Sequence, residues 1–316
     1  MTPGPSREAI RGAAAALEGV AVRTPLVAVP ALAAVAGVPV HIKAEHRQPI
    51  GAFKLRGAYT ALAGMAPDQR ARGVVTHSSG NHGQALAFAA RRFGVRAVIV
   101  MPDDSPRVKV EGVKRHGGEV VPCRRSERVR VAAEVAAREG LVPVPPFDDA
   151  GVVLGQATCA WEILEDAPGT RTIVVPVGGG GLLAGTAAAI RAHGGGTALV
   201  AAEPSGAHKV GPALAAGHPV AVDAPHSIAD GLLPPAVGTL TFAIFHDMVR
   251  ASVTVSDAEI ARAMALLAAQ GERVEPSGAV TCAAILAGRV ASDGPIVAIA
   301  TGGNVDDDVY RSLVPA

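Results

Sequence analysis

Charged residues are scarce in this sequence, and their signs almost cancel. They make up 18% of the 316 residues and leave a formal net charge of +1. No run of basic residues stands out, so the chain lacks the positive field that attracts nucleic acids or anionic membranes, and we expect neither partner. Because 49% of the residues are apolar, the chain can bury a large core, and its length favours two globular units.

Cysteine is also scarce, with three residues in the whole chain. Cys123, Cys159 and Cys282 are far apart and form no C-x-x-C pair, which argues against a disulfide framework and a cysteine zinc site. The N-terminal segment lacks the continuous apolar run of a secretory signal. The uncharged stretch 172–190 contains Pro176 and five glycines, which favours a strand, loop and helix over a membrane span. We therefore expect a cytoplasmic protein with reduced, buried thiols.

Short β-branched segments alternate with alanine-rich segments of helical length. The clearest strands are at 38–43, 73–76, 96–101, 172–177, 197–202 and 295–300, and the clearest helices at 83–93, 126–139, 182–192 and 257–270. This alternation predicts an α/β fold with open, mainly parallel sheets flanked by helices. The turn at 66–68 and the proline-rich segment 142–147, a predicted crossing between sheets, indicate a small lobe, 67–145. It is inserted in a large lobe formed by 1–66 and 146–316.

The first candidate site residue is Lys54, in the segment Gly-Ala-Phe-Lys-Leu-Arg-Gly-Ala at 51–58. Burial, or a cationic neighbour such as Arg56, favours loss of the lysine proton, and the neutral amine can then form a Schiff base. The alternative is a surface lysine that extends from the first turn of a helix. This segment alone leaves both interpretations open.

The second candidate is the polar segment 76–83, Thr-His-Ser-Ser-Gly-Asn-His-Gly, between a predicted strand and a predicted helix. Backbone N–H groups at a helix N-terminus, together with hydroxyl, amide and imidazole groups, form a receptor for a carboxylate. The side chains concerned are those of Ser78, Ser79, Asn81 and His82. The alternative is an ordinary helix N-cap with two structural histidines. The histidines do not have the H-E-x-x-H spacing of a metalloprotease.

The third candidate is a glycine run that also joins a predicted strand to a predicted helix. It consists of Gly178, Gly179, Gly180, Gly181 and Leu182. Backbone without Cβ atoms can fold around phosphate oxygens, and the following helix contributes its dipole. The same run satisfies the dinucleotide fingerprint G-x-G-x-x-A, and Glu203 lies about 20 residues on, where a ribose-binding acid belongs. The spacing alone leaves a dehydrogenase open.

The fourth candidate is Thr301, which follows the last predicted strand in the segment Thr-Gly-Gly-Asn at 301–304. A neutral hydroxyl at this place can hydrogen-bond a ring nitrogen without protonating it, which limits electron withdrawal by a pyridine cofactor. The alternative is an ordinary turn.

Together and in this order, the segments resemble the fold type II pyridoxal phosphate enzymes, specifically the group of threonine dehydratases, serine dehydratases and serine racemases. The resemblance extends nearly end to end and also includes the segments 23–26, 146–149, 155–158, 202–204, 228–231 and 275–278. Several motifs in a fixed order are far more specific than any single motif. The resemblance implies a tryptophan synthase β-like fold, pyridoxal 5'-phosphate as cofactor, a small amino acid as substrate and a homodimer.

The resemblance also implies a role for each candidate residue. Lys54 would carry the cofactor and take the α-proton of the substrate. The cofactor would be contacted by Phe53, Asn81, Gly178, Gly179, Gly180, Gly181, Leu182 and Thr301. The substrate carboxylate would be held by Ser78, Asn81 and His82. Ser79 corresponds to the residue that, in racemases, acts on the opposite face of the α-carbon.

The reaction that the resemblance implies is that of a lyase, which converts L-threonine or L-serine to a 2-keto acid and ammonia. Serine racemisation and the dehydration of 3-hydroxyaspartate or phenylserine are alternatives on the same scaffold, and an NAD-dependent dehydrogenase is a remote one. Arg128 lies near a family position whose arginine favours substrates with a second charged group. Its other interpretation is a solvent-exposed arginine on an arginine-rich helix.

A divalent cation is not expected, although some relatives bind one. Those relatives use a glutamate, a backbone carbonyl and an aspartate, which correspond here to Glu203, Ala207 and Lys209. Because a hard cation takes oxygen ligands and is repelled by an ammonium group, Lys209 argues against the ion. We expect Lys209 to pair with Glu203 in its place.

Overall fold

The computed structural model describes residues 4–314, and within them ten β-strands form two sheets. The strands are β1 (Leu26–Ala28), β2 (Val40–Lys43), β3 (Val74–His77), β4 (Ala97–Pro102), β5 (Glu119–Cys123), β6 (Val142–Pro143), β7 (Thr172–Pro176), β8 (Ala198–Pro204), β9 (Val249–Val255) and β10 (Ile296–Ile299). The larger sheet has the order β1-β2-β10-β7-β8-β9, and the smaller has the order β5-β4-β3-β6. Only β1 pairs antiparallel with its neighbour in these sheets; all other neighbours are parallel.

Helices cover both faces of the sheets, as parallel strands require. They are α1 (Arg7–Ala16), α2 (Pro30–Ala36), α3 (Lys54–Gly64), α4 (Pro67–Ala71), α5 (Asn81–Phe93), α6 (Arg107–Arg115), α7 (Arg128–Glu139), α8 (Ala150–Asp166), α9 (Gly181–His193), α10 (Val210–Ala216), α11 (Thr239–Phe245), α12 (Asp257–Ala268), α13 (Pro276–Leu286) and α14 (Asp307–Leu313). The predicted α/β fold with two open, mainly parallel sheets is confirmed.

The central strand β7 shows why the larger sheet is apolar throughout. Successive side chains of a strand point to opposite faces. Ile173 and Val175 pack in the core that contains α8 and α9, whereas Val174 packs in the core that contains α12 and α13. All three side chains are fully buried. The sheet is therefore buried on both faces, and its polar groups are concentrated beyond the ends of its strands.

The predicted strands and helices are all present, and their ends differ from the predictions by at most two residues. The strands β1, β5, β6 and β9 were not predicted from the sequence, because they are short or half-exposed. The segment 142–147 is not purely a crossing, because it begins as β6, which pairs with β3. Every strand of the smaller sheet lies within 67–145, but the lobe boundaries remain a prediction.

Two further expectations from the sequence concern buried thiols and the absence of a membrane span. All three cysteines are free; Cys159 and Cys282 are buried, but Cys123 is only half-buried, so the prediction of buried thiols was wrong for Cys123. Among residues 4–314, no helix combines the length and the apolar character needed to cross a membrane.

Candidate active site

The carboxyl ends of β3, β7 and β10 open into one cavity of about 400 Å³. Such sheets bind ligands at this edge. All the residues proposed from the sequence to contact cofactor or substrate line this cavity. They are Phe53, Lys54, Ser78, Ser79, Asn81, His82, Gly178, Gly179, Gly180, Gly181, Leu182 and Thr301.

Lys54 begins α3 and is positioned by the end of β10. The backbone N–H of Phe53 donates to the carbonyl oxygen of Thr301 at 3.0 Å, and an isolated antiparallel bridge pairs Ala52 with Gly302. The Lys54 ammonium donates to the carbonyl oxygen of Pro146 at 2.6 Å and lies 5.2 Å from the centre of the Phe53 ring. Burial lowers the pKa of Lys54 to about 8. Lys54 therefore loses its proton at a lower pH than a solvated lysine and supplies the neutral, nucleophilic amine more readily.

Arg56 does not contribute to this pKa, contrary to the expectation from the sequence. Its guanidinium is buried between two carboxylates, with Nε 2.8 Å from Glu45 and Nη1 2.7 Å from Glu162. Lys43 pairs with the same Glu162 at 2.6 Å. The positive charges of Arg56 and Lys43 are thus balanced by two buried carboxylates. The network links α3 to α8, and the charge of Arg56 does not lower the pKa of Lys54.

The polar loop 78–83 turns tightly at the start of α5. Oγ of Ser78 accepts hydrogen bonds from the backbone N–H groups of Gly80 and Gly83, both at 3.0 Å. The amide of Asn81 donates to Oε1 of Glu275 at 2.5 Å and accepts from Asn304 at 2.9 Å. Ser79, which is half-buried, lines the cavity between these two anchored residues.

His82 is a neutral group in the cavity wall. Burial, reinforced by the charge of Lys54, lowers its pKa to about 3. Its Nε2 lies 3.1 Å from the carbonyl oxygen of Val144, so we assign the proton to Nε2. Nδ1 is then a buried acceptor with no hydrogen-bond donor among residues 4–314. In this tautomer Nδ1 cannot donate to a carboxylate, so the expected contact of His82 with the substrate carboxylate stays a prediction that requires the other tautomer.

The glycine run fits a phosphate group. Gly180 has a φ of +92°, and a Cβ atom at Gly179 would lie 2.2 Å from the Phe147 ring. Side chains are therefore excluded, and the backbone amides remain accessible at the start of α9. Because α9 is 13 residues long, its dipole favours an anion at this end. With Lys54 and Phe53 in the same cavity, the residues suit pyridoxal phosphate.

A model of the family described as pyridoxal-phosphate dependent enzyme matches residues 17–302. The chain belongs to this family. It is 41% identical to "beta-hydroxyaspartate dehydratase" of Paracoccus denitrificans (90% of this chain, 92% of the relative) and 36% identical to "L-threo-3-hydroxyaspartate ammonia-lyase" of Saccharomyces cerevisiae (88% and 86%). The solved structure of maize serine racemase superposes with a TM-score of 0.92 at 36% identity (98% and 97%). Other relatives of similar identity are named serine racemase and L-threonine ammonia-lyase.

These matches confirm the predicted membership of the threonine and serine dehydratase and serine racemase group within fold type II. The matched family is described as pyridoxal-phosphate dependent, which favours the phosphate interpretation of the glycine run over a dehydrogenase; the contact between the run and the phosphate stays a prediction. They leave open which amino acid this pyridoxal-phosphate dependent enzyme uses, since the relatives differ in their named substrates.

Sequence reasoning missed several charged residues of the cavity. Lys109, Asp230 and Glu275 form a cluster in its wall, and Arg125 joins Arg128 at its rim. A signal for Lys109 was present: it shares the buried face of α6 with Gly112 and Val113 at i+3 and i+4. A lysine on such a face needs an anionic partner, but the sequence does not indicate which one.

The place that corresponds to the divalent-cation site of some relatives holds an ammonium group. Nζ of Lys209 donates to Oε1 of Glu203 at 3.1 Å and to the carbonyl oxygen of Ala207 at 2.7 Å. It also lies 3.3 Å from the carbonyl oxygens of Val177 and Leu232. Both charged side chains are fully buried. Since the ammonium already uses these oxygens, the residues do not fit a divalent cation.

Proposed function

We propose that this enzyme is an ammonia-lyase that converts 3-hydroxyaspartate to oxaloacetate and ammonia. The observation that carries this proposal is the position of Arg128 in the same cavity as Lys54 and the loop 78–83. A second carboxylate on the substrate gives this arginine a partner, which a threonine or serine side chain does not offer.

Arg128 lies at the start of α7 and faces the cavity from the side of the smaller sheet. Its Nη1 donates to the carbonyl oxygen of Arg125 at 2.9 Å, and no carboxylate lies within 4.0 Å of it in the part of the chain that the structure describes. Arg125, in contrast, is paired with Asp104 at 2.9 Å. Burial, with the charge of Arg125, lowers the pKa of Arg128. A bound carboxylate would relieve this unfavourable environment.

The neighbouring His77 is suited to the same site. Burial, with the charge of Arg128, lowers the pKa of His77 to about 4, so the imidazole is neutral near pH 7. A neutral ring beside Arg128 adds no competing charge and can donate a hydrogen bond to a carboxylate oxygen. The two residues could thus bind the distal carboxylate, while the N-terminus of α5 receives the α-carboxylate.

Pyridoxal phosphate, when bound, withdraws electrons from the α-carbon and thereby makes both loss of the α-proton and departure of the β-hydroxyl feasible. The neutral amine of Lys54 is the base that takes the α-proton. The rings of Phe53 and Phe147, both half-buried, line the cavity and limit the access of water during this step. The enamine that leaves the enzyme tautomerises and hydrolyses in water, which gives the keto acid and ammonia.

Racemisation is the second candidate, and the position of Ser79 favours it. Ser79 lines the cavity, and its hydroxyl makes no hydrogen bond within residues 4–314, so it is available to deliver a proton to the substrate.

We also propose a cytoplasmic homodimer, because the three thiols are free and the resemblance implies a dimer.

The test compares the purified holoenzyme on the isomers of 3-hydroxyaspartate, L-threonine and L-serine. Oxaloacetate and ammonia are measured by coupled assays. We expect one isomer of 3-hydroxyaspartate to exceed L-threonine in kcat/KM by about 100-fold or more, because a site built for a polar group discriminates strongly against substrates that lack it. A higher kcat/KM for L-threonine or L-serine would overturn the choice of substrate but not the reaction class.

A further inference from the structure

Lys109 of α6 is almost completely buried, although it belongs to the wall of the cavity. Its side chain is 2% exposed, and Nζ donates to both carboxylate oxygens of Asp230, at 2.9 and 2.6 Å. It also lies 3.0 Å from Oε2 of Glu275. Lys109 belongs to a helix beside the smaller sheet, whereas its two partners lie among the elements of the larger sheet. One ammonium therefore joins the two sides of the cavity.

Lys109 offsets part of the negative charge that Asp230 and Glu275 bring to this cluster. Burial alone would lower the pKa of Lys109, but Glu275 and Asp230 more than offset it, so the lysine remains protonated. Burial raises the pKa of Glu275; Asp230 adds to this shift, and Lys109 opposes it. Removal of the ammonium would leave two carboxyl groups facing each other, one of them fully buried, which is strongly unfavourable.

The partner Glu275 fixes the orientation of Asn81, a residue that we assign to the cofactor and the substrate. Oε1 of Glu275 accepts the hydrogen bond from the Asn81 amide, and the other end of that amide accepts from Asn304. An ionised Glu275 can only accept hydrogen bonds, so it selects one orientation of the amide. A protonated Glu275 could also donate and would no longer select it.

The methylene stem of Lys109 supports the backbone of the loop 78–83. A Cβ atom at Gly80 would lie 2.2 Å from Cδ of Lys109, so the glycine and the stem are in close contact. Gly80 is the residue that precedes the first turn of α5. The same side chain thus contacts the loop through its stem and orients Asn81 through its charge.

We propose that Lys109 is a positioning residue, which holds Asn81 and the loop 78–83 in the geometry that receives the cofactor and the substrate carboxylate. This role goes beyond the proposed reaction, since it would be the same for any amino acid that the enzyme uses. It can therefore be tested without substrate, and its failure would be distinct from failure of the proposed function.

The test measures hydrogen exchange of the cofactor-free protein and its dissociation constant for pyridoxal phosphate. For Lys109→Met we expect exchange at residues 80–84 to be about ten-fold faster and pyridoxal phosphate to bind about ten-fold more weakly, as befits the loss of one partner from a buried charge cluster. Lys114→Met is the matched control, because Lys114 is an exposed lysine of the same helix, and it should leave both quantities unchanged.

A double variant separates charge balance from simple packing. Lys109→Met with Glu275→Gln removes both buried charges, while Asp230, which is 24% exposed, remains partly solvated. The amide oxygen that Glu275→Gln introduces can still accept from Asn81, but because the amide can also donate, it selects the orientation of Asn81 less strictly than the carboxylate does, so only part of the lost affinity should return. We expect the double variant to bind pyridoxal phosphate more tightly than Lys109→Met alone, whereas a packing role predicts additive losses.

If Lys109→Met does not fold, Asp230→Asn, which removes one anion from the ammonium, should still accelerate exchange at residues 80–84. Additive losses, or exchange as in the control, would overturn the proposal.

Discussion

The backbone N–H of Phe53 donates a hydrogen bond of 3.0 Å to the carbonyl oxygen of Thr301. These residues belong to two motifs that are far apart in the sequence, one that contains Lys54, the proposed cofactor lysine, and one that follows the last strand. The bond attaches the start of α3 to the end of β10 and thereby brings Lys54 into the cavity beside the glycine run. Motifs that are far apart in the sequence thus meet in one cavity, because each follows the carboxyl end of a parallel strand.

The glycine run provides the first prediction. Gly179→Ala places a methyl group where the Phe147 ring now lies, at 2.2 Å, so the ring or the loop must move. We expect the affinity for pyridoxal phosphate to fall about ten-fold or more, measured by titration of the cofactor-free protein. Gly12→Ala is the control, because a Cβ atom there meets nothing within 4 Å. Equal affinities for both variants would contradict the assignment of the run to the phosphate.

The second prediction concerns the pH dependence of cofactor capture. Burial lowers the pKa of Lys54 to about 8, and only the neutral amine attacks an aldehyde. Below this pH the amine is protonated, so the rate of capture should rise with pH and level off above about 8. Rapid-mixing absorbance of the cofactor-free protein with pyridoxal phosphate measures this rate, and Lys54→Ala should abolish it. A rise that continues to about pH 10.4, the ordinary pKa of lysine, would show that the amine is solvated.

The third prediction is that the enzyme does not depend on a divalent cation. The Lys209 ammonium bonds to Glu203 and to the carbonyl oxygen of Val177, the residue before the glycine run. We expect no stoichiometric magnesium or calcium by elemental analysis and no loss of activity with a chelator. Either metal at one ion per chain would contradict this expectation.

Variants of Lys209 extend this test. Lys209→Met removes the ammonium from the buried Glu203 and leaves its carboxylate the backbone N–H groups of residues 209 and 210 as donors, which should destabilise the fold by up to about 3–5 kcal/mol and weaken cofactor binding. Lys209→Asp supplies an oxygen ligand instead, and added magnesium or calcium should raise its unfolding temperature. If the cation has no effect on the aspartate variant, the lysine is not a substitute for an ion.

The fourth prediction separates racemisation from elimination. We propose that Lys54 takes the α-proton in both reactions, whereas Ser79 is needed only to return a proton from the other face. Ser79→Ala should therefore lower racemisation by about 100-fold or more and change keto acid formation much less. Chiral chromatography and the keto acid assay measure the two rates on the same sample. Equal losses of both activities would contradict a separate role for Ser79.

Much of this structure could be predicted from the sequence because its signals are local. Continuous apolar runs such as 172–176 identify strands that are buried on both faces, and the glycine run identifies a place where side chains are excluded. The charged contacts could not be predicted in the same way. Arg56 pairs with Glu45 and Glu162, not with the surroundings of Lys54, and Lys109 finds its partners only when the two sheets meet. Such pairings depend on tertiary distances that spacing along the chain does not encode.

The most direct test of the account is the substrate preference of an Arg128→Met variant. Arg130→Met is its matched control, since Arg130 lies in the same helix but is exposed and paired with Glu127 and Glu134. We expect Arg128→Met to lower kcat/KM for 3-hydroxyaspartate by about 100-fold or more while kcat/KM for L-threonine stays the same or rises, because only the diacid loses an ionic partner. Equal losses for both substrates, or no loss, would contradict the assignment of Arg128 to the distal carboxylate.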